Sequence, residues 1–199
     1  MKLSTEEEKY IMIAVLAWDW TDTEALLVQK TLNSVIYWSN VLAPIFNMDY
    51  PFKYKMSGDN NIFEIIEKRT QSLEEKGYIR KATNIIRTEK KAFDEVENLI
   101  GAGDFRFSKY DQLIKDIVSC LGHLNNDYID EMFANDVFKE QNKAIFRIDD
   151  KGFDLERIKD TVKLMYTEGE PMTNRTHIFK YLFYHEVLVD MKRKGEIKQ

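Results

Sequence analysis

Cysteine is nearly absent: Cys120 is the one thiol in 199 residues. A single thiol excludes an intramolecular disulfide framework and a cysteine-rich zinc site, and it fits a reducing, cytoplasmic compartment. Proline occurs three times and glycine eight times. So little punctuation favours long helices. The longest apolar run, Ile11–Trp18, has eight residues, against the roughly 20 that a membrane helix needs. The first residues, Met1 to Glu8, are acidic where a secretory signal is basic, and no small-residue cleavage pattern follows. No single charge dominates. There are 29 basic and 34 acidic side chains, a net charge of −5, which argues against a general nucleic-acid coat. The G-x-x-x-x-G-K-[ST], G-x-G-x-x-G and G-x-S-x-G patterns do not occur, so neither nucleotide hydrolysis on a P-loop nor a Rossmann cofactor is expected. The expectation is a protein that is not an enzyme and holds no cofactor or metal.

What is present is a core. Apolar residues make up 44% and aromatics 13% of the chain, enough to exclude disorder for most of it. The first helix should start at Ser4 with Glu7 in a capping-box spacing, and Ile11–Trp18 make it apolar nearly all round. Thr21 and Glu24 have the same spacing and should open a second helix, which must end before Pro44. Phe52, Tyr54 and Met56 alternate with lysines and read as a short strand. A third helix should open at Gly58-Asp59 and close at Gly77. Tyr78–Arg80 and Ile85–Arg87 read as a hairpin. A fourth helix stops at Gly101-Ala102-Gly103. Beyond it, Ser108 and Asp111 should cap a helix, another should run from Asp127 to about Asn142, and Phe146 and Ile148 suggest a strand. A turn at Asp150-Lys151-Gly152 and a helix through Leu155–Met165 follow. A last helix capped by Thr173 or Asn174 reaches Lys194.

That order predicts a mainly α fold: a winged helix-turn-helix with a short β-hairpin wing, followed by a C-terminal helical domain. The boundaries are 1–100 for the winged helix and 104–199 for the helical domain. The competing architecture is an unrelated helical bundle with one small hairpin. Met191–Lys198 echoes Leu73–Arg80, each with an apolar residue, a Lys-Gly pair, an isoleucine and a base. The echo reads either as two similar helix ends or as a second winged-helix-like unit.

Several candidate sites follow. Asn60, Asn61, Lys68, Arg69 and Gln71 could reach base edges from the third helix, but Glu64, Glu67, Glu74 and Glu75 on the same helix oppose a phosphate backbone. Within residues 76–91 six bases face one acid, Glu89, a local net of +5. Arg80, Lys81, Arg87, Lys90 and Lys91 there suit phosphate contact without base readout. The alternative is a solvated hairpin whose lysines guard its edge. Of the many aromatics, Trp20, Trp38, Tyr50, Phe179, Phe183 and Tyr184 are the candidate protein-partner contacts, because aromatics supply hot spots. The Phe179–Tyr184 run is apolar on more than one helix face, so the helix is central or is covered by another chain. His185-Glu186 lacks the second histidine of H-E-x-x-H, so a His185, Glu186 and Asp190 metal site has no spacing rule behind it. Cys120 and His123 lie one turn apart, but Ile117, Val118 and Leu121 make Cys120 read as a small core residue. Asp127, Asp130 and Glu131 read as a solubility face.

Val28-Gln29-Lys30-x-Leu32-x-x-Val35-Ile36-Tyr37 resembles the L-Q-K-L-x-Y opening of the Panacea-type antitoxin domain. Phe52–Gly58 sits where that family has an aromatic strand running into a Y-G-P-x-S turn, and Leu73–Ile79 where it has L-x-x-L-G-L-I. The resemblance covers about residues 25–80. It departs at Gly58, which Asp59 follows instead of proline. It implies a non-enzymatic winged-helix module that binds a protein effector. In size and layout the whole chain is also similar to tandem winged-helix subunits of SMC ATPases and to the middle components of Lamassu-type ABC-ATPase defence systems. The expected function is a non-catalytic accessory subunit, part of a hetero-oligomer, that binds an SMC-like ATPase and touches DNA backbone if DNA is bound. An antitoxin that neutralises a toxic effector, a DNA-binding transcription regulator and a metal-dependent nuclease are the alternatives.

Overall fold

Helix α1 (Glu6–Trp20) is the centre of the fold. Ile11–Trp18 leave no polar face, so the helix is stable only when enclosed, and every residue of that run is buried. The computed structural model describes residues 5–21, 26–49, 52, 62–102, 105–134 and 173–196. The N-cap is Thr5 rather than Ser4: its hydroxyl accepts from the Glu8 N–H at 3.2 Å. The spacing that marked Ser4 and Glu7 recurs one residue on, at Thr5 and Glu8. Thr21 closes α1 instead of opening the next helix, since its hydroxyl donates to the Ala17 carbonyl at 2.8 Å. Helix α2 (Gln29–Leu42) starts directly after Val28, with no side-chain cap. Val28 is held in a β-bridge to Ile85, and the Ile86 N–H donates to the Leu27 carbonyl at 2.8 Å. That bridge fixes where α2 can begin. Its end at Leu42 agrees with Pro44, which lies in a 3-10 turn over Ala43–Phe46.

Helix α3 (Ile62–Glu75) buries Ile66, Thr70 and Leu73 beside α1. Gly77, at φ +70°, ends it. The Tyr78 N–H reaches the Leu73 carbonyl at 3.0 Å and the Gly77 N–H reaches that of Glu74 at 2.9 Å. This bond pair is a Schellman cap, which needs a left-handed residue at this position. Strands β1 (Ile79–Ala82) and β2 (Ile85–Thr88) follow, antiparallel, with Arg80 opposite Arg87. Helix, bridge, helix, helix and hairpin is the order of a winged helix, with β1 and β2 as the wing. Of the expected strand at Phe52–Met56 only Phe52 is described. It is buried 6.4 Å from the Tyr10 ring. Gly58 and Asp59 lie outside the described residues.

Helix α4 (Lys90–Gly101) leads into α5 (Phe105–Leu121). The latter starts before Ser108 and Asp111, because Phe107 and Tyr110 pack on Tyr10 at ring distances of 5.5 and 4.3 Å. Helix α5 lies against both α1 and α2, so residues on either side of Gly101-Ala102-Gly103 enter one hydrophobic cluster. Helices α6 (Asn126–Ala134) and α7 (Asn174–Arg193) pack on each other, and α6 also meets α2. Two of the three acids read as a solubility face have partners: Asp130 pairs with Lys30 at 3.5 Å and Glu131 with Arg193 at 2.9 Å. The expected strand at Phe146 and Ile148, the Asp150–Gly152 turn and the Leu155–Met165 helix lie outside the described residues. Thr173 caps α7, accepting from the Thr176 N–H at 3.1 Å. Gly195, at φ +73°, ends α7 with the same bond pair as Gly77. The echo between Leu73–Arg80 and Met191–Lys198 therefore includes a shared Schellman cap. The fold is mainly α with a small wing, and β1–β2 is the only sheet among the described residues.

Candidate interaction surface at the wing and the exposed aromatics

The wing separates its cations by strand register. Successive strand residues point to opposite faces. Arg80 and Arg87, directly opposite each other, share the exposed face, while Lys81 lies on the other face with buried Ile79 and Ile86. The Lys81 N–H donates to Glu74 Oε1 at 2.9 Å, and its ammonium reaches Gln29 Oε1 at 3.4 Å. Like charges opposite each other in a ladder repel, and each arginine has its own carboxylate. Arg80 Nε lies 3.4 Å from Glu89 Oε1, and Arg87 Nη1 lies 2.9 Å from Asp19 Oδ1. Asp19 also accepts from the N–H and the hydroxyl of Thr88, both at 2.7 Å. It thereby ties the wing to the end of α1. Lys91 donates to the Lys76 carbonyl at 3.1 Å and sits 4.1 Å from the centre of the Tyr78 ring. Lys90 is exposed. The cluster of bases is thus a set of cations largely engaged within the chain. Glu64, Glu67 and Glu75 are exposed along α3 with Lys68 and Gln71, an acidic stripe beside the wing.

Trp20 follows Asp19. It is 53% exposed and stacks on Phe93 of α4, with ring centres 5.6 Å apart and planes at 25°. The Lys115 ammonium lies 6.0 Å from its ring. The Trp20–Phe93 stack and the Asp19–Arg87 pair are thus both anchored at the last two residues of α1. Trp38 is different. It is fully buried, edge-on to Tyr181 at 5.7 Å and 4.9 Å from the His185 ring, so it belongs to the core and has no surface to offer a partner. Tyr50 lies outside the described residues. Phe179 and Phe183 are 50% and 45% exposed, and their rings lie parallel at 6.0 Å and 7°. Tyr184 is half-buried, 5.6 Å from His185. Phe105, exposed with Lys109 4.7 Å from its ring, was missed, because its sequence neighbours give no sign of which side of α5 faces α1. Asp19 was missed too, because its partners lie 68 and 69 residues away.

His185 lies in the core beside Trp38 and Tyr181, and among the described residues no three of His, Cys, Asp and Glu gather as a metal would need. Cys120 and His123 do line one cleft of about 440 Å³ between α5 and the start of α7, with Asp116, Ser119 and Arg175. Burial, with the Asp116 carboxylate adding to it, pushes the Cys120 thiol up to about 11. The thiol is therefore protonated at neutral pH and is not an activated nucleophile. Asp116 is held by Gln112 at 3.1 Å and by Arg175 at 3.6 Å. In comparisons with protein-family models, curated proteins and solved structures, the chain has no match. No described helix is long and apolar enough to cross a membrane.

Proposed function

We propose that the chain is a non-catalytic accessory subunit that binds a protein effector, an SMC-like ATPase of a prokaryotic defence complex, through the surface where the C-terminal end of α1 meets the wing and α4. The observation that carries this is Trp20, half-exposed on Phe93 and next to the Asp19–Arg87 pair. Tryptophan and arginine are the residue types that dominate interface energetics, and here both are held in place before any partner arrives. The effector class rests on the similarity of size and layout noted above. DNA is a secondary contact made through backbone phosphates. Arg80, 70% exposed beside Glu89, and Lys90 at the start of α4 are the cations best placed for it, whereas Arg87 is held more closely by Asp19. The acidic stripe of α3 favours a second reading, an antitoxin whose Glu64, Glu67 and Glu75 meet a basic toxin.

Co-expression with the genomic neighbours and affinity capture tests both. A long coiled-coil ATPase in near-stoichiometric amount, lost on Trp20→Ala, supports the subunit. A small toxic partner lost on reversal of the α3 glutamates supports the antitoxin. Capture unchanged by Trp20→Ala sinks the proposed surface. Arg80→Glu with Lys90→Glu should weaken DNA binding by the complex, and unchanged binding at low salt would remove the phosphate contact.

A further inference from the structure

The cleft between α5 and the start of α7, at about 440 Å³, is in the size range of small-ligand sites. Asp116 is in its wall with a side chain only 8% exposed. An ionised carboxylate held that far from water needs donors for both of its oxygens. Among the described residues it accepts one hydrogen bond, from the Gln112 amide to Oδ1 at 3.1 Å. The nearest cation is Arg175, whose Nε lies 3.6 Å from the same Oδ1. That is beyond hydrogen-bond reach, and the terminal fork of the guanidinium does not make the contact. Oδ2 accepts no hydrogen bond among the described residues. Arg175 is itself 75% exposed, so the pair is a loose one. Phe179, one turn beyond Arg175 on α7, is half-exposed and lines the same cleft. Two carboxylates, Asp116 and Glu186, act on the Cys120 thiol in the cleft wall, against one guanidinium, Arg175. The cleft thus joins an under-satisfied buried carboxylate, an aromatic face and an excess of negative charge.

We propose that this cleft is a binding site for an alkylguanidinium group, anchored on Asp116 and stacked on Phe179, with Arg175 as a displaceable occupant of the same carboxylate. A guanidinium suits the place because its planar fork donates two parallel N–H bonds to the two oxygens of one carboxylate, and its face stacks on an aromatic ring. An ammonium meets a carboxylate as a point charge and leaves that geometry unused. The group can come from a free small molecule such as agmatine or from an arginine of another protein. The site shares no residue with the effector surface on α1, α4 and the wing, so each stands or falls alone.

Titration of the full chain with N-butylguanidinium, followed by amide NMR, tests the site. Saturable shifts should concentrate on the cleft, at Ser119, Cys120 and Thr176, with roughly millimolar affinity. N-butylurea, which has the same shape without the charge, should bind at least about tenfold more weakly. Arg175→Ala should tighten binding about fivefold, because it removes the competitor. Asp116→Asn should weaken it at least about tenfold. Phe179→Leu, at a half-exposed position, should weaken it about threefold and keeps the test open if Asp116→Asn does not fold. Agmatine binding more tightly than N-acetylarginine methylamide assigns a free ligand, and the reverse order assigns an arginine side chain. No saturable shift up to about 50 mM overturns the proposal. So do equal affinities for the guanidinium and the urea, or binding unmoved by both Asp116→Asn and Phe179→Leu. Binding lost in Arg175→Ala overturns it as well, since Arg175 would then be part of the site and not its occupant.

Discussion

Helices α1 and α7 have the same sequence character and opposite fates. Each carries apolar residues on nearly every side. In α1 the second face is covered by α5, α3 and the wing, and Ile11–Trp18 vanish from the surface. In α7 one face meets α5 and α6, and the other keeps Phe179, Phe183 and Val187 in solvent. An apolar helix face creates a demand for cover. The pattern does not say whether the cover comes from the same chain.

Substitution should make this contrast measurable. The largest effect belongs to the enclosed helix. Trp18→Ala should cost about 3–5 kcal/mol in urea denaturation, whereas Phe183→Ala should change the monomer's stability by less than about 0.5 kcal/mol. Comparable losses at both positions would mean that α7 is as enclosed as α1. Next comes the one buried charge of α1. Glu8 accepts from the Lys76 ammonium at 2.5 Å and the Ser72 hydroxyl at 2.8 Å, tying α1 to the end of α3. Lys76→Met takes the cation away from a carboxylate that cannot reach bulk water, which should cost about 3 kcal/mol. Lys194→Met, at the exposed Asp190 pair on α7, should be close to neutral.

The smallest effect is on reactivity beside α7. With its thiol raised to about 11 from 9.0, Cys120 should be alkylated by iodoacetamide about 100-fold more slowly at pH 8 than in the unfolded chain, since two pKa units separate the thiolate fractions. The rate should climb through pH 11. Because the folded value lies above the unfolded one, the stability contribution of the neutral thiol is fully present below about pH 9 and is lost as pH rises through 11. Asp116→Asn removes a charge that raises the thiol and should speed the reaction.

Much of the fold was legible. Gly77 announced a helix end, Tyr78–Arg80 and Ile85–Arg87 a hairpin, Thr173 or Asn174 a helix start and Pro44 a helix stop, because each acts on backbone geometry within a few residues. Thr21 misled, because a hydroxyl can cap the helix behind it as well as the one ahead, and Ala17 decided the matter. The site was less legible for the same reason at longer range. The bases of residues 76–91 were visible as a cluster. That Lys81 turns inward, that Asp19 holds Arg87 and that Trp38 fills the core follow from register and packing between segments far apart in sequence.

The sequence by itself determined the helical class, the wing and most helix ends, since hydrophobic period, glycine and capping hydroxyls are local signals read by the backbone within one or two turns. The tertiary structure alone decided which aromatics reach solvent and which cations keep a carboxylate beside them. Burial and charge pairing depend on what the rest of the chain places opposite each side chain.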